Sequence, residues 1–176
     1  MNEDYLKEVK AQFEHYKSIG ERTFDQLKDD DLFWKYNEES NSIAIIVKHI
    51  WGNMMSRWTD FLTTDGEKEW RKRDEEFDAD IKSKEEMLEK WNQGWDCLFT
   101  ALNSITPEDL DTKTIYIRNE AHTIAAALNR QLAHYPYHIG QIVFLGKMMS
   151  SDWGALTIPK GNSKEFNKQM FSKPKQ

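Results

Sequence analysis

The sequence predicts an all-α fold, a four-helix bundle, from three observations. Four segments carry apolar residues at helical spacing, two of them open on residues that cap helices, and a long, densely charged stretch separates the second segment from the third. Residues 4 to about 28 place Leu6, Val9, Phe13, Tyr16, Phe24 and Leu27 three or four positions apart, or at sums of those steps, which predicts an amphipathic first helix. Asp29-Asp30-Asp31 ends it, and residues 32 to 39 read as a loop whose Phe33, Trp34 and Tyr36 lie on the bundle.

Asn41 or Ser42 can accept from the free amides of the second helix and so cap it. That helix is expected to run to about Leu62. Its first half, Ile43 to Trp51, is apolar nearly all round, which implies burial on several sides. Residues 63 to 82 hold Gly66 and the run Glu67-Lys-Glu-Trp-Arg-Lys-Arg-Asp-Glu-Glu76, and read as a solvated crossover, with a lid as the lesser alternative. Ser83-Lys-Glu-Glu86 has capping-box spacing and opens the third helix, continued by Met87, Leu88, Trp91, Trp95, Leu98, Phe99 and Leu102 to about Ser104. Thr106-Pro107 starts a short turn, and residues 112 to 117 read as briefly extended. The fourth helix runs from near Thr123 to Met149, with Ile124, Leu128, Gln131, Tyr135, His138, Ile142, Leu145 and Met149 along one face and Pro136 as a bend. The tail, 151–176, carries Trp153, Leu156 and Ile158 before a last helical turn around Ser163 to Met170, and is expected to pack on the bundle (about 4–150) as part of one domain.

Composition narrows the functions. The net charge is −6, and the 24 Lys+Arg are dispersed, so nucleic acid, whose binding begins with clustered cations, is not the expected partner. Cys97 is the single cysteine, which excludes an internal disulfide and a multi-cysteine zinc site and fits a reducing cytoplasm. No apolar run approaches the roughly 18 residues that would span a bilayer, and the polar, acidic N-terminus reads as unexported.

The chemistry concentrates in His134-Tyr-Pro-Tyr-His138. Histidines at i and i+4 share a helix face about 5 to 6 Å apart, close enough to bind one metal ion. Two imidazoles are half a site. His49, in the buried half of the second helix, is the best third donor, although a helical wheel puts it about 140° from the Ile43, Val47, Ile50, Met54, Phe61 stripe. That position counts against a simple core-facing reading and is resolved if the site lies between the second helix and a neighbour on its other side. Three histidines with open coordination positions would form a catalytic rather than a structural centre.

The pattern His49-Ile-Trp-Gly52 in the second helix, with His134-x-x-x-His138-Ile-Gly-Gln141 in the fourth, resembles the DinB/YfiT-like superfamily of metalloenzymes over roughly residues 4 to 150. The ending Ile158-Pro-Lys-Gly-Asn-Ser-Lys-Glu-Phe-Asn167 is similar to one uncharacterised bacterial branch of it. The resemblance implies an up-down-down-up bundle, commonly a homodimer, with a divalent metal (zinc or nickel first, iron or manganese next) on His49, His134 and His138. It further implies a small-molecule substrate and, in members with assigned activities, thiol-dependent transfer using a low-molecular-weight thiol. A metal-dependent hydrolase and a noncatalytic metal-binding stress or interaction protein are the alternatives. No residue outside the metal set is assigned a catalytic or cofactor-binding role.

The other polar residues have plainer readings. His122 reads as a loop or capping residue, His15 as solvent-facing and Cys97 as a core thiol. Gln131 and Gln141 share the histidine-bearing side of the fourth helix, and read as surface amides or as groups that orient a ligand. Trp51, Trp58, Trp91, Trp95 and Tyr137 read as core before pocket wall.

Overall fold

The computed structural model describes residues 2–174. In chain order it comprises α1 (Asn2–Phe24), a 3₁₀ turn (Asp29–Phe33), α2 (Ile43–Trp58), a second 3₁₀ turn (Asp74–Phe77), α3 (Lys84–Ser104), the one-turn α4 (Asp109–Thr112), strands β1 (Thr114–Ile117) and β2 (Glu120–Thr123), α5 (Ile124–Met149) and α6 (Ser163–Phe171). The helical class holds, but the all-α expectation needs correcting for the antiparallel β1–β2 hairpin, which pairs Thr114 with Thr123 and Ile117 with Glu120. Its two turn residues, Arg118 and Asn119, have φ of 54° and 63°. The Asp65 carboxylate accepts from both of their amides, at 2.8 and 2.7 Å, and from the Glu67 amide at 2.7 Å, so a residue of the distant crossover stabilises a turn that the local sequence disfavours.

Caps set the helix starts. Ser42 Oγ accepts from the Ile45 amide, Ser83 Oγ from Glu86 and Thr123 Oγ1 from Ala126, each satisfying a donor that the first turn leaves free. The ends fall earlier than apolar periodicity suggests. α2 stops at Trp58 rather than Leu62, because Asp60 turns to φ 48° and its carbonyl takes the amides of Thr63 and Thr64. Leu27, read as the close of the first helix, lies buried beyond α1.

An aromatic cluster from α1, α3 and α5 fills the centre. Phe13 lies 6.4 Å from Trp95 and 5.8 Å from Tyr135, with Trp91 against both Phe24 and Trp95. Tyr135 is fully buried, donates to Asn53 Oδ1 at 3.1 Å and accepts from Trp58 Nε1 at 3.2 Å, tying α5 to α2 one residue from His134. Tyr135→Phe strands the Trp58 donor and the Asn53 acceptor in the core, so urea denaturation is expected to show a loss of about 1–3 kcal/mol. An unchanged midpoint would contradict this clamp.

The tail divides in two. Arg22 donates to the Leu156 and Ala155 carbonyls at 2.6 and 3.1 Å, Gln26 accepts from the Gly154 amide and the Trp153 ring lies beside Gly146, so the segment before residue 158 is laid against the end of α1 and against α5. α6 buries none of its residues, contrary to the expectation that the whole tail packs down.

Candidate metal centre

The site forms where α2, α5 and the crossover meet. One face of α2 packs on α3, where Gly94 lets the α3 backbone approach Trp51 and Met54. His49 projects from another face toward α5, which accounts for its angle from the apolar stripe. It is 6% exposed, while His134 and His138 are half-buried.

All three rings converge. His134 Nε2 lies 3.4 Å from His49 Nε2 and 3.1 Å from His138 Nε2, and the candidate ligand atoms of the three all lie within 4.8 Å of one another. Nitrogens sharing a tetrahedral cation at about 2.0–2.1 Å would sit about 3.3 Å apart, so the donor set fits a single ion. Protonation points the same way. His49 Nδ1 donates to Glu76 Oε2 and His138 Nδ1 donates to Gln141 Oε1, each at 2.8 Å, which turns both Nε2 lone pairs inward. One N–H on His134 can make a linear bond to only one of them, whereas a central cation satisfies all three.

The groups behind the three histidines are only partly those expected. Gln141 orients His138, the lesser of its two readings. Gln131 is 3% exposed with no partner for Oε1 among the described residues, so it is not a surface amide. His122 lies on β2 outside the cluster, and His15 is exposed on α1. Cys97 is half-buried against Thr59 and the Met54 carbonyl, and burial raises its thiol pKa. Trp58, Trp91 and Trp95 are core; Tyr137 is exposed and stands edge-on to His138 at 5.0 Å.

The crossover departs furthest from expectation. Although its charge density reads as solvated, Glu76 is 4% exposed and the Arg71 side chain is buried beside it, donating from Nε to Oε1 at 2.7 Å and from a terminal nitrogen to Oε2 at 3.1 Å. Phe77 stacks on His49 with ring centres 5.1 Å apart. Lys48 holds the segment down through the Glu75 and Asp78 carbonyls and Asp80. Burial alone would raise the Glu76 pKa, but hydrogen bonds from His49 and Arg71 and the Arg71 charge outweigh it and keep the carboxylate below its ordinary range. The local signal for this docking is Gly52. A methyl there would lie 2.8 Å from Glu76 Cδ, so only glycine lets the carboxylate lie against α2 one turn beyond His49.

Burial, then the neighbouring histidines and the Arg71 and Arg57 charges, lower the His134 pKa to about 3; burial also lowers that of His138. Both are therefore neutral, as metal ligands must be. An unfolded histidine protonates near 6.5. Between that value and 3 the unfolded chain binds the extra proton, so the stability of metal-free protein falls as the pH drops from 7 toward 4. Chelator-treated protein should have a lower urea midpoint at pH 5 than at pH 7.5, with the difference reduced in His134→Asn. Equal midpoints in the parent would show that these rings are not held neutral.

Among the described residues, no helix is long and apolar enough to cross a membrane. A family model described as "Protein of unknown function (DUF1572)" matches residues 1–162. No curated protein and no solved structure matches the chain.

Proposed function

Because the chain belongs to DUF1572, a DinB/YfiT-like family of unknown function, we propose from its own side chains that it is a divalent-metal-dependent enzyme acting on a small molecule, with thiol-dependent transfer as its chemistry. The observation that carries the metal is the convergence of three Nε2 atoms whose partner nitrogens, in two of the three rings, are already committed as donors. Among the described residues three candidate donors meet there, which would leave coordination positions for substrate and favours a catalytic over a structural role. The choice of thiol transfer over hydrolysis rests on the superfamily resemblance. Zinc or nickel is the favoured ion, with iron or manganese next.

His49, His134 and His138 would hold the ion through Nε2. A divalent cation on neutral imidazoles keeps its full charge and supplies Lewis acidity that favours the deprotonated form of a thiol or water near neutral pH. Both Glu76 oxygens are engaged, so this carboxylate fixes the His49 tautomer rather than carrying protons. Phe77 and Tyr137, each partly exposed, flank the cluster and offer apolar surface to the organic part of a substrate.

We read the protein as cytoplasmic and homodimeric, with an up-down-down-up bundle. Contacts that advance in step along both helices support the helix directions: Tyr5 with Asn129 and Thr23 with Gly146 for α1 and α5, and Trp51 with Gln93 and Met54 with Cys97 for α2 and α3. The functional test is a screen of metal-reconstituted protein against low-molecular-weight thiols paired with electrophiles. Turnover lost on chelation and in His138→Ala is the expected result; equal turnover by parent and mutant would place the activity elsewhere.

A further inference from the structure

We propose a second small-molecule site on the opposite side of α5 from the histidines, a groove that takes an amphipathic anion, an aliphatic chain ending in a carboxylate. The groove encloses ≈ 750 Å³ between α1, α5 and the tail. That volume lies in the range of small-molecule sites, as does the mixture of apolar walls with a few polar groups. Pro136, Ile139, Gly140, Val143 and Lys147 supply the α5 wall. Relative to His138 they lie about 100–200° around the helix, so a ligand here would not touch the metal centre.

Two observations indicate a ligand rather than an unfilled crease. The first is charge. The chain carries −6 overall, yet among the described residues no Asp or Glu lines the groove, while Lys147 and Lys160 do. Among the described residues neither ammonium has an ion-pair or hydrogen-bond partner. The remainder of the wall is largely aliphatic and aromatic, with Ile19, Trp153, Leu156 and Ile158 facing the α5 stripe. Two free cations at a largely apolar concavity match a ligand with one charged end and a long apolar body.

The second is Gly140. It lies in the interior of a 26-residue helix, where glycine costs about 1 kcal/mol relative to alanine. Elsewhere a helical glycine here has a packing reason: a methyl at Gly20 would enter the Trp91 ring, and one at Gly146 would press on Thr23 and Trp153. Among the described residues a methyl at Gly140 would meet nothing within 4 Å. Neighbouring packing therefore does not require glycine there, and a side chain would project into free space. The residue keeps the groove deep beside Pro136. From Pro136 to Lys147 the wall is about 16 Å long at the helical rise, which suits a medium-length aliphatic chain.

The probe is dodecanoate, titrated below its micellar concentration into the full chain by isothermal calorimetry. One saturable site is expected. Lys147→Glu and Lys160→Glu should each weaken it at least tenfold. Gly140→Trp, which has room to enter the groove and so keeps the native circular dichroism spectrum, should abolish it. His134→Ala should bind dodecanoate as the parent does, so the result stands apart from that of the metal centre. The proposal is overturned by absence of binding, by full affinity in Gly140→Trp, or by equal uptake of dodecyltrimethylammonium. It is overturned equally if no dodecanoate binds and sedimentation shows a dimer that Gly140→Trp dissociates, since a second copy of the chain would then occupy the groove.

Discussion

Replacing His134 by alanine is expected to abolish stoichiometric metal binding. His134 Nε2 is the nitrogen that approaches both of the others, so its loss leaves His49 and His138 without the donor that joins them. Protein expressed without a histidine tag should contain close to one equivalent of divalent ion by elemental analysis, and the variant a small fraction of that. Stability should follow. An ion present at a thousandfold over its Kd stabilises the folded state by about 4 kcal/mol. For a chain of this size that corresponds to a fall of about 8–16 °C in Tm on chelation. The variant should melt at one temperature with or without chelator. A parent protein free of metal after reconstitution, or a variant that retains a full equivalent, would remove the metal centre from the account.

How much of this centre could be read from the chain depended on how local each contact is. His134 and His138 were legible because a four-residue step on a helix fixes their proximity without tertiary information. The Ser42, Ser83 and Thr123 starts were legible for the same reason, each being a contact between a side chain and an amide three residues on. His49 was identifiable as a residue, but its direction was not, since an angle from the apolar stripe says only that it faces away from that stripe's partner, not which element it meets. Glu76 lay outside what sequence could assign. A run of alternating charges reads as solvated until Arg71 pairs with Glu76, and that pair forms because Lys48 and Gly52 draw the crossover onto α2. The hairpin failed in the same way: Glu120-Ala-His-Thr123 has little apolar alternation, and its turn leans on Asp65, more than 50 residues earlier. Gly52 was the nearest to a missed clue, a glycine one turn from a proposed ligand in an otherwise apolar helix.

Changing Glu76 to glutamine should have two separable effects. The side-chain oxygen can still accept from His49 Nδ1, so the ring stays oriented, but the negative charge that makes His49 a stronger donor is gone. Loss of such a partner behind a metal ligand typically weakens binding 10–100-fold. The same change leaves the Arg71 guanidinium buried with Glu67 as its remaining carboxylate, at 3.6 Å, and breaking a buried ion pair from one side costs about 3–5 kcal/mol. A fall in stability alone would therefore not separate a structural role from a positioning one. Gly52→Ala makes the distinction. It retains every charge but pushes Glu76 away from α2, so metal affinity should fall while the Arg71–Glu76 pair can move together and survive. Competition with a fluorescent zinc chelator reads affinity, and urea denaturation of the metal-free proteins reads stability. If both variants lose stability yet bind zinc as tightly as the parent, Glu76 anchors the crossover and does nothing for His49; if Gly52→Ala loses affinity with its metal-free stability nearly intact, the carboxylate governs the ion.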